Sequence, residues 1–446
     1  MASVRTCTTL SSKISNNLAW KKSIRVYRKH GVRHMSAASA SGTFKASDLQ
    51  IDFCPPENLK MKPAVKDLVF GRSFTDHMLK ILYTDQSGWG QPRITPLQDL
   101  RLHPAAKVLH YSVELFEGMK AFRGVDDEIR LFRPNKNMER MNRTAARCSL
   151  PTFDGDELIA LLKKMISVDQ EWVPHTESSS LYIRPTLIGI EVFPYSTLNK
   201  VHPKLGTPVT TPYIGGHWKE QDNTSIDWLI KPTLGVQRPV EALLFVILSP
   251  VGPYFSSGFK PVSLLADPQY VRAWPGGMGM MKSGSNYGPT LEIQRYAEAK
   301  GLHQVLWLFG PEHRITEVGA MNIFIFLDKG NGEKELVTPP LDGLILPGVT
   351  RDSLLTLARE WGEFQVSERD ITMTELVQAS HDKKLLEMFG AGTAAVVTPV
   401  GSIHYQDQVI NIPTMDHDQP LNQRFYNTIT GIQYGRIASP WAMSIQ

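Results

Sequence analysis

The 446-residue sequence lacks the features that mark several common protein classes. Its three cysteines, Cys7, Cys54 and Cys148, are too scattered for a disulfide framework or for a zinc site with paired ligands. No apolar run approaches the roughly 20 residues of a membrane-spanning helix. The HExxH, GxSxG and EF-hand patterns are absent from the chain. We therefore expect no metal site and no membrane partner.

The first 47 residues are short of acidic side chains. They contain nine Lys or Arg and many Ser and Thr, and the first acid is Asp48. The whole chain has a formal charge of +4, but without those nine bases 39 Lys or Arg face 44 Asp or Glu. Arg and Ser without acids at an N-terminus are typical of a mitochondrial transit peptide, although a basic arm for nucleic acid is an alternative. We expect residues 1–47 to be a disordered leader to the mitochondrial matrix, with a cytoplasmic location as the alternative. We expect the net acidic remainder to bind no nucleic acid.

Residues 48–446 mix strand-like and helix-like segments. The apolar spacing over 156–173 predicts an amphipathic helix, and the apolar runs at 180–190 and 242–248 predict buried strands. The segment YVRAW (270–274) predicts another strand, and RDSLLTLAREWG predicts a helix that ends at Gly362. Strands and helices without a strict βαβ repeat predict an α/β fold with two domains and mixed sheets. The expected parts are a small domain at 48–255 with an irregular insertion at 192–231, a linker at 256–261 and a larger domain at 262–446.

A glycine-rich segment, GGMGMMKSGSNYG at 276–288, places a lysine between flexible turns. A Walker phosphate loop has glycine directly before its lysine, and Met281 stands there instead. A dinucleotide fingerprint starting at Gly277 would need its third glycine where Lys282 stands. Both nucleotide interpretations therefore fail. A lysine amine in a defined position can condense with a carbonyl group, although a surface lysine in a flexible loop is the simpler alternative.

Several motifs together resemble the branched-chain aminotransferases, which are pyridoxal-phosphate enzymes of the fold-type IV group. In chain order they are LHYSVELFEGMKAFRG, LFRPNKNMERM, GGMGMMKSGSNYGPT, RITEVGAMNIFIF, LPGVTRDSLL, GAGTAAVVTPV and GIQYG. Each motif is weak alone, but their common order over most of residues 50–440 makes the resemblance specific. It implies the two-domain α/β architecture of that group, with pyridoxal 5'-phosphate as the cofactor.

The resemblance implies roles for individual residues. Lys282 matches the lysine that holds the cofactor and moves the proton during transamination. Glu317, at a predicted turn, matches the glutamate that faces the pyridine nitrogen, and Tyr287 matches the tyrosine at the phenolic oxygen. Arg140 matches the arginine that binds the phosphate. Further donors to the phosphate are expected from Gly348, Val349 and Thr350, at the start of a helix, and from Thr393.

The same resemblance implies a substrate pocket and an assembly. Phe116, Tyr182 and Tyr111 match aromatic walls around an aliphatic side chain, which reward apolar area. Thr393 and Ala394 match contacts to the substrate. Leu234 and Val236 match a loop that closes over the pocket of the neighbouring subunit, which implies a homodimer.

The implied function is transfer of the amino group of L-leucine, L-isoleucine or L-valine to 2-oxoglutarate, which yields branched-chain 2-oxo acids and L-glutamate. Two alternatives stay open: a fold-type IV relative with another substrate, and a catalytically silent relative. The insertion at 192–231 favours the silent alternative, as does Ala320, where relatives usually carry threonine. The joint presence of Lys282, Glu317, Tyr287 and Arg140 argues against it.

Overall fold

A computed structural model describes residues 42–190, 234–252 and 259–446. The insertion predicted at 192–231, most of the predicted leader and half of the predicted linker lie outside these residues. The leader was expected to extend to residue 47, but the folded part already includes Phe44. That side chain is 2% exposed and packs against Trp89 and Phe153, and Ala46 N donates to Glu157 at 2.7 Å. The N-terminal boundary of the folded part therefore lies before Phe44.

The first sheet has ten strands and uses residues 50–251 together with one strand from the C-terminus. Its order is β1-β4-β2-β9-β8-β6-β7-β19, with β3 paired to β2 and β5 to β8. The β1–β4 pair is parallel, whereas β8 and β9 form a ten-residue antiparallel ladder at its centre. The strands are β1 (Gln50–Ile51), β2 (His77–Thr84), β3 (Gly88–Trp89), β4 (Arg93–Pro96), β5 (Glu114–Phe116), β6 (Met119–Arg123), β7 (Ile129–Phe132), β8 (Ser180–Gly189), β9 (Glu241–Val251) and β19 (Ala442–Ser444).

The second sheet has nine strands, from residues 262–411. Its order is β12-β11-β10-β17-β16-β13-β14-β15, with β18 paired to β17, and a further β12–β13 pairing closes six of these strands into a ring. Closure leaves those six strands without an unpaired edge and surrounds an apolar core. The strands are β10 (Val262–Ala266), β11 (Gln304–Phe309), β12 (Arg314–Val318), β13 (Met321–Gly330), β14 (Glu333–Thr338), β15 (Gln365–Glu368), β16 (Leu385–Gly392), β17 (Val396–Tyr405) and β18 (Gln408–Asn411).

The helices form where apolar side chains recur on one face. Helix α3 (Gly155–Val168) buries Leu158, Leu161 and Leu162 as predicted, and the side chain of Asp154 caps its first turn. Helix α5 (Val349–Trp361) ends at Gly362, whose φ of 64° is left-handed, a conformation that glycine adopts without strain. In the described residues the α-helices are α1 (Lys107–Tyr111), α2 (Pro134–Arg147), α3 (Gly155–Val168), α4 (Leu291–Ala299), α5 (Val349–Trp361), α6 (Met373–His381) and α7 (Leu421–Gln433). None of the helices within this part of the chain is long and apolar enough to cross a membrane.

Two local predictions were wrong. The segment 270–274 is irregular rather than a strand, because Arg272 turns inward and donates to the backbone oxygens of Leu344 and Gly279. Glu317 lies inside strand β12, and the turn follows at Gly319 and Ala320. Mixed parallel and antiparallel pairing, in contrast, agrees with the prediction of mixed sheets.

Candidate active site

The loop that carries Lys282 runs from strand β10 to helix α4. Within the loop, the side-chain amide of Asn286 donates to two backbone oxygens at 2.8 and 2.9 Å. From the first-sheet side, Thr144 Oγ1 accepts from Lys282 N at 3.1 Å, and Phe116 N donates to Lys282 O at 3.1 Å. The glycine-rich segment therefore gives the lysine one fixed position.

The Lys282 ammonium lies between aromatic rings. Nζ donates to Tyr287 Oη at 3.1 Å and lies 4.8 Å from the centroid of the Phe116 ring. The two rings are 5.1 Å apart. The structure thus brings together three residues that the sequence assigned to catalysis, cofactor and substrate. Because its backbone and its amine are both bonded, Lys282 is not a surface lysine in a flexible loop.

Glu317 is a buried acceptor, 2% exposed. Its Oε2 lies 2.9 Å from Arg272 Nε, and its Oε1 accepts from Leu346 N at 2.9 Å and from Asn322 Nδ2 at 3.1 Å. Burial raises the pKa of Glu317, and the positive charge of Arg272 opposes that rise. A carboxylate offers about four acceptor positions, and the described residues fill three. The position that remains on Oε2 suits a protonated ring nitrogen, as the expected cofactor requires.

Arg140 is held by a carboxylate that the sequence analysis did not assign. Glu117 is fully buried and accepts from Nε and Nη2 of Arg140 at 2.7 and 2.8 Å, and from Asn137 Nδ2 at 2.8 Å. Arg140 Nη1 donates to Pro347 O at 3.1 Å. Burial tends to raise the pKa of Glu117, but the guanidinium holds it below its ordinary value. A guanidinium has five N–H donors, so two remain for an anion beside residue 348.

The start of helix α5 supplies further donors. Gly348 is its N-cap, and Val349 and Thr350 belong to its first turn, where amides have no partner within the helix. Val349, Thr350 and Thr393 line one small cavity. Amides, hydroxyls, the positive end of the helix dipole and Arg140 form a donor set suited to a phosphate dianion. These residues therefore fit the phosphate of the expected cofactor.

Aromatic rings and one arginine form a wall beside Lys282. The guanidinium carbon of Arg184 lies 4.6 Å from the Phe116 centroid and 5.1 Å from the Tyr182 centroid, and Nη2 donates to Tyr182 Oη at 3.0 Å. Phe70 adds a third ring 4.9 Å from Tyr182. In the described part of the chain, Arg184 Nε is buried without a hydrogen-bond partner. The wall is apolar with one stacked cation.

Ala394 lies beside Thr393 in the turn between strands β16 and β17. Its carbonyl oxygen accepts from Lys120 Nζ at 2.7 Å. Lys120 belongs to β6 of the first sheet and is 8% exposed. The turn expected to meet the substrate is therefore tied to the opposite sheet by a buried cation.

Three predicted substrate residues lie apart from this group. Tyr111 Oη donates to Leu234 O, and the two side chains are 37% and 60% exposed. Val236 is 82% exposed. Among the contacts of the described residues, none joins these three side chains to Lys282. They form an exposed apolar surface on this chain.

Four charged residues of the site were not predicted from the sequence: Glu117, Lys120, Arg184 and Arg272. Each is mostly buried, and each has its partner far away in sequence or on another strand. Glu117 and Lys120 lie within one motif, LHYSVELFEGMKAFRG, whose resemblance was recognised without a role for either. For Arg272 the apolar neighbours indicated a strand, and no local pattern could show an inward arginine.

Comparison with known proteins agrees with this geometry. A family model described as Amino-transferase class IV matches residues 237–403. The chain is 52% identical over 404 residues to "Branched-chain-amino-acid aminotransferase, cytosolic" of Rattus norvegicus, covering 90% of this chain and 88% of that protein. It is 49% identical over 407 residues to "Branched-chain-amino-acid aminotransferase, mitochondrial" of Bos taurus, covering 91% and 93%.

Solved structures share the fold. The branched-chain amino acid aminotransferase of Escherichia coli superposes with a TM-score of 0.60 at 22% identity, over 82% of this chain and 99% of that one. The branched-chain amino acid aminotransferase of Thermobaculum terrenum, in its PLP-form, gives a TM-score of 0.56 at 18% identity, over 83% and 98%. The predicted fold class is confirmed.

Proposed function

The chain belongs to the branched-chain-amino-acid aminotransferases, and we propose from this premise that it moves the amino group of L-leucine, L-isoleucine or L-valine to 2-oxoglutarate. The products are the branched-chain 2-oxo acid and L-glutamate. The observation that supports this most directly is the position of Lys282, whose amine lies 3.1 Å from Tyr287 Oη and next to the aromatic wall. A single group that touches both the cofactor residues and the substrate wall is what proton transfer at the substrate requires.

Pyridoxal phosphate is the cofactor, and when bound it supplies an electron sink for the carbanion formed at the substrate Cα. The residues Arg140, Val349, Thr350 and Thr393 would hold its phosphate, and Glu317 and Tyr287 would hold its ring. Lys282 carries the proton at Nζ, and Tyr287 Oη orients that amine through the 3.1 Å hydrogen bond. Because burial raises the pKa of Glu317, its carboxylate is a stronger acceptor for a proton on the ring nitrogen.

The wall that contains Phe116, Tyr182 and Arg184 can serve both substrates. The rings offer apolar area to an aliphatic side chain, which favours leucine, isoleucine and valine over polar amino acids. The guanidinium of Arg184, whose Nε has no hydrogen-bond partner among the described residues, offers a cation to the second carboxylate of 2-oxoglutarate. Replacement Arg184→Met should therefore raise the KM for 2-oxoglutarate about 10- to 100-fold, the usual value of a charged hydrogen bond, while the KM for leucine changes little.

We further propose a homodimer in which each chain completes the pocket of the other. The support is the exposed surface of Tyr111, Leu234 and Val236, which is apolar and lies apart from Lys282 in one chain. Sedimentation of the purified protein tests the dimer. A Val236→Asp variant that sediments as a monomer and binds leucine weakly would support a shared pocket, and a fully active monomer would contradict it.

The leader is proposed to direct the protein to mitochondria. Its composition supports this, and the relatives include proteins named as mitochondrial and as cytosolic. The test is the location of a fluorescent fusion with and without residues 1–41, a deletion that leaves the packed Phe44 in place. Equal import of the two fusions would refute the proposal.

The first experiment is a visible absorption spectrum of the chain lacking residues 1–41, with pyridoxal phosphate, before and after addition of leucine. A visible band that leucine removes and 2-oxoglutarate restores would establish the half-reactions. Lys282→Ala is the control and should lack the band. A band insensitive to leucine would indicate another substrate, and no band at all in the unaltered chain would indicate the silent relative.

A further inference from the structure

Lys120 is a buried cation whose partner is a backbone oxygen. The side chain is 8% exposed and donates to Ala394 O at 2.7 Å. In the described part of the chain no carboxylate forms an ion pair with it. Burying an ammonium costs free energy unless the group is paired or hydrogen-bonded. A hydrogen bond from an ammonium to a carbonyl oxygen is stronger than one between two neutral groups. The position of this lysine therefore needs an explanation beyond packing.

The turn that receives this hydrogen bond ends at a strained residue, Val396. Gly392 pairs with Val396 across the β16–β17 hairpin, and Thr393, Ala394 and Ala395 form its loop. Val396 has a φ of 63°, and Val397 N donates to Ala395 O at 2.8 Å across it. A β-branched residue at positive φ inside an i→i+2 turn is unfavourable and persists only where surrounding contacts enforce it.

The hydrogen bond from Lys120 fixes the loop at its centre. The carbonyl of Ala394 and the amide of Ala395 lie in one rigid peptide plane, so holding the oxygen sets the direction of the whole plane. Val396, which is 7% exposed and packed in the apolar core, fixes the far end. With both constraints in place, the backbone of Thr393 and Ala394 is held in one orientation.

Lys120 lies close enough to the candidate active site to influence substrate binding as well as the stability of the fold. It lines a cavity of about 250 Å³ together with Ala394 and Ala395, and it also lines the small cavity that contains Val349, Thr350 and Thr393. The Lys120 side chain is therefore adjacent to the residues expected to meet the phosphate and the substrate carboxylate. In the proposed arrangement its ammonium contacts neither the phosphate nor the carboxylate itself.

We propose that Lys120 is a positioning residue, whose ammonium holds the 393–395 turn, next to the strained Val396, in the orientation in which Thr393 and Ala394 receive the carboxylate of either substrate. The inference rests on the proposed function, because that function places the carboxylate at this turn. Lys120, on the opposite sheet from the turn, is then a determinant of substrate affinity.

The test compares steady-state kinetics for leucine and 2-oxoglutarate in the unaltered chain, Lys120→Met and Lys260→Met. Lys260 is exposed and lines the same cavity, so its replacement removes an equal charge without the hydrogen bond. Lys120→Met should raise both KM values about 10- to 100-fold, the usual value of a charged hydrogen bond, with a smaller effect on kcat. Pyridoxal phosphate is kept saturating in all three proteins, because Thr393 in the same turn is also expected to hold its phosphate. Equal KM values in Lys120→Met and Lys260→Met would overturn the proposal.

A comparison of the unaltered chain with Lys120→Arg covers the case in which Lys120→Met does not fold. Burial lowers the pKa of Lys120 to about 8, so its ammonium is lost above that pH, whereas an arginine stays charged. The other ionisable side chains that line the cavity are Glu177, Lys260, Tyr426 and Tyr434, and they are the same in both proteins. The ratio of the KM for leucine in the unaltered chain to that in Lys120→Arg should rise between pH 7 and 9.5, because titration of leucine's own amine is common to both proteins and cancels in the ratio. A ratio that stays constant with pH would refute the role of Lys120.

Relief of the strain gives an independent readout. Glycine adopts positive φ without penalty, so Val396→Gly should make the orientation of the turn depend less on the hydrogen bond from Lys120. In the double variant Lys120→Met, Val396→Gly the KM should move back toward the unaltered value; purely additive damage would contradict the mechanism. An unaltered chain that shows no leucine-dependent spectral change would refute the proposed function itself, which distinguishes the two failures.

Discussion

Replacement of Glu117 by glutamine tests the charge balance of the site most directly. The change leaves the guanidinium of Arg140, 4% exposed, without its counter-charge while keeping one oxygen as an acceptor. Breaking a buried ion pair at one partner costs about 3–5 kcal/mol, and the remaining hydrogen bond favours the lower end of that range. With an unfolding entropy of about 2.1 cal/mol/K per residue over some 400 residues, this cost lowers Tm by about 4–6 °C.

The assay is thermal unfolding of cofactor-depleted protein, followed by circular dichroism, with and without pyridoxal phosphate. The matched control is Glu363→Gln, which breaks a similar two-bond pair with Arg424 at the surface, where solvent screens the charges. We expect a Tm close to that of the unaltered chain for this control. Saturating cofactor should reduce the difference in Tm between Glu117→Gln and the unaltered chain, because the phosphate supplies the missing negative charge. Equal Tm values for the two variants would refute the assignment of Glu117 as the counter-charge, and a gap that cofactor leaves unchanged would refute Arg140 as a phosphate ligand.

Two further predictions follow from buried carboxylates. Glu317→Gln should lower kcat by about 100-fold or more, the usual effect of removing one electrostatic group from a reacting centre, while cofactor titration still saturates; a kcat within threefold of the unaltered value would exclude a role at the ring nitrogen. Burial tends to raise the pKa of Glu335, but the hydrogen bonds from Arg369 bring it from an ordinary value of 4.5 to about 2. Because the folded pKa is depressed, the stabilisation is complete above pH 4.5 and is lost as pH falls toward 2. Urea midpoints measured across this window should fall more steeply in the unaltered chain than in Glu335→Gln, and identical slopes would contradict the pairing.

Much of the fold followed from local patterns. The apolar spacing of helix α3 and the long apolar runs of β8 and β9 were sufficient to predict these elements, because each buries one face or two over many residues. The strand predicted at 270–274 does not form, because Arg272 reaches across to Glu317 and to distant backbone oxygens. No periodicity records such a contact.

The sequence by itself determined which chemical groups are present and the motif order that identifies the family. Lys282, Tyr287, Glu317 and Arg140 stand in motifs whose residue types are required by the chemistry, so a linear pattern is enough to find them.

The tertiary structure decided how those groups are charged, oriented and combined. Only the packed chain opposes Glu117 to Arg140, stacks Arg184 on the aromatic wall beside Lys282 and joins Ala394 to Lys120 on the other sheet. The physical reason is that buried charges take their partners from whichever elements pack beside them, and separation along the chain, 274 residues for Lys120 and Ala394, carries no information about that packing.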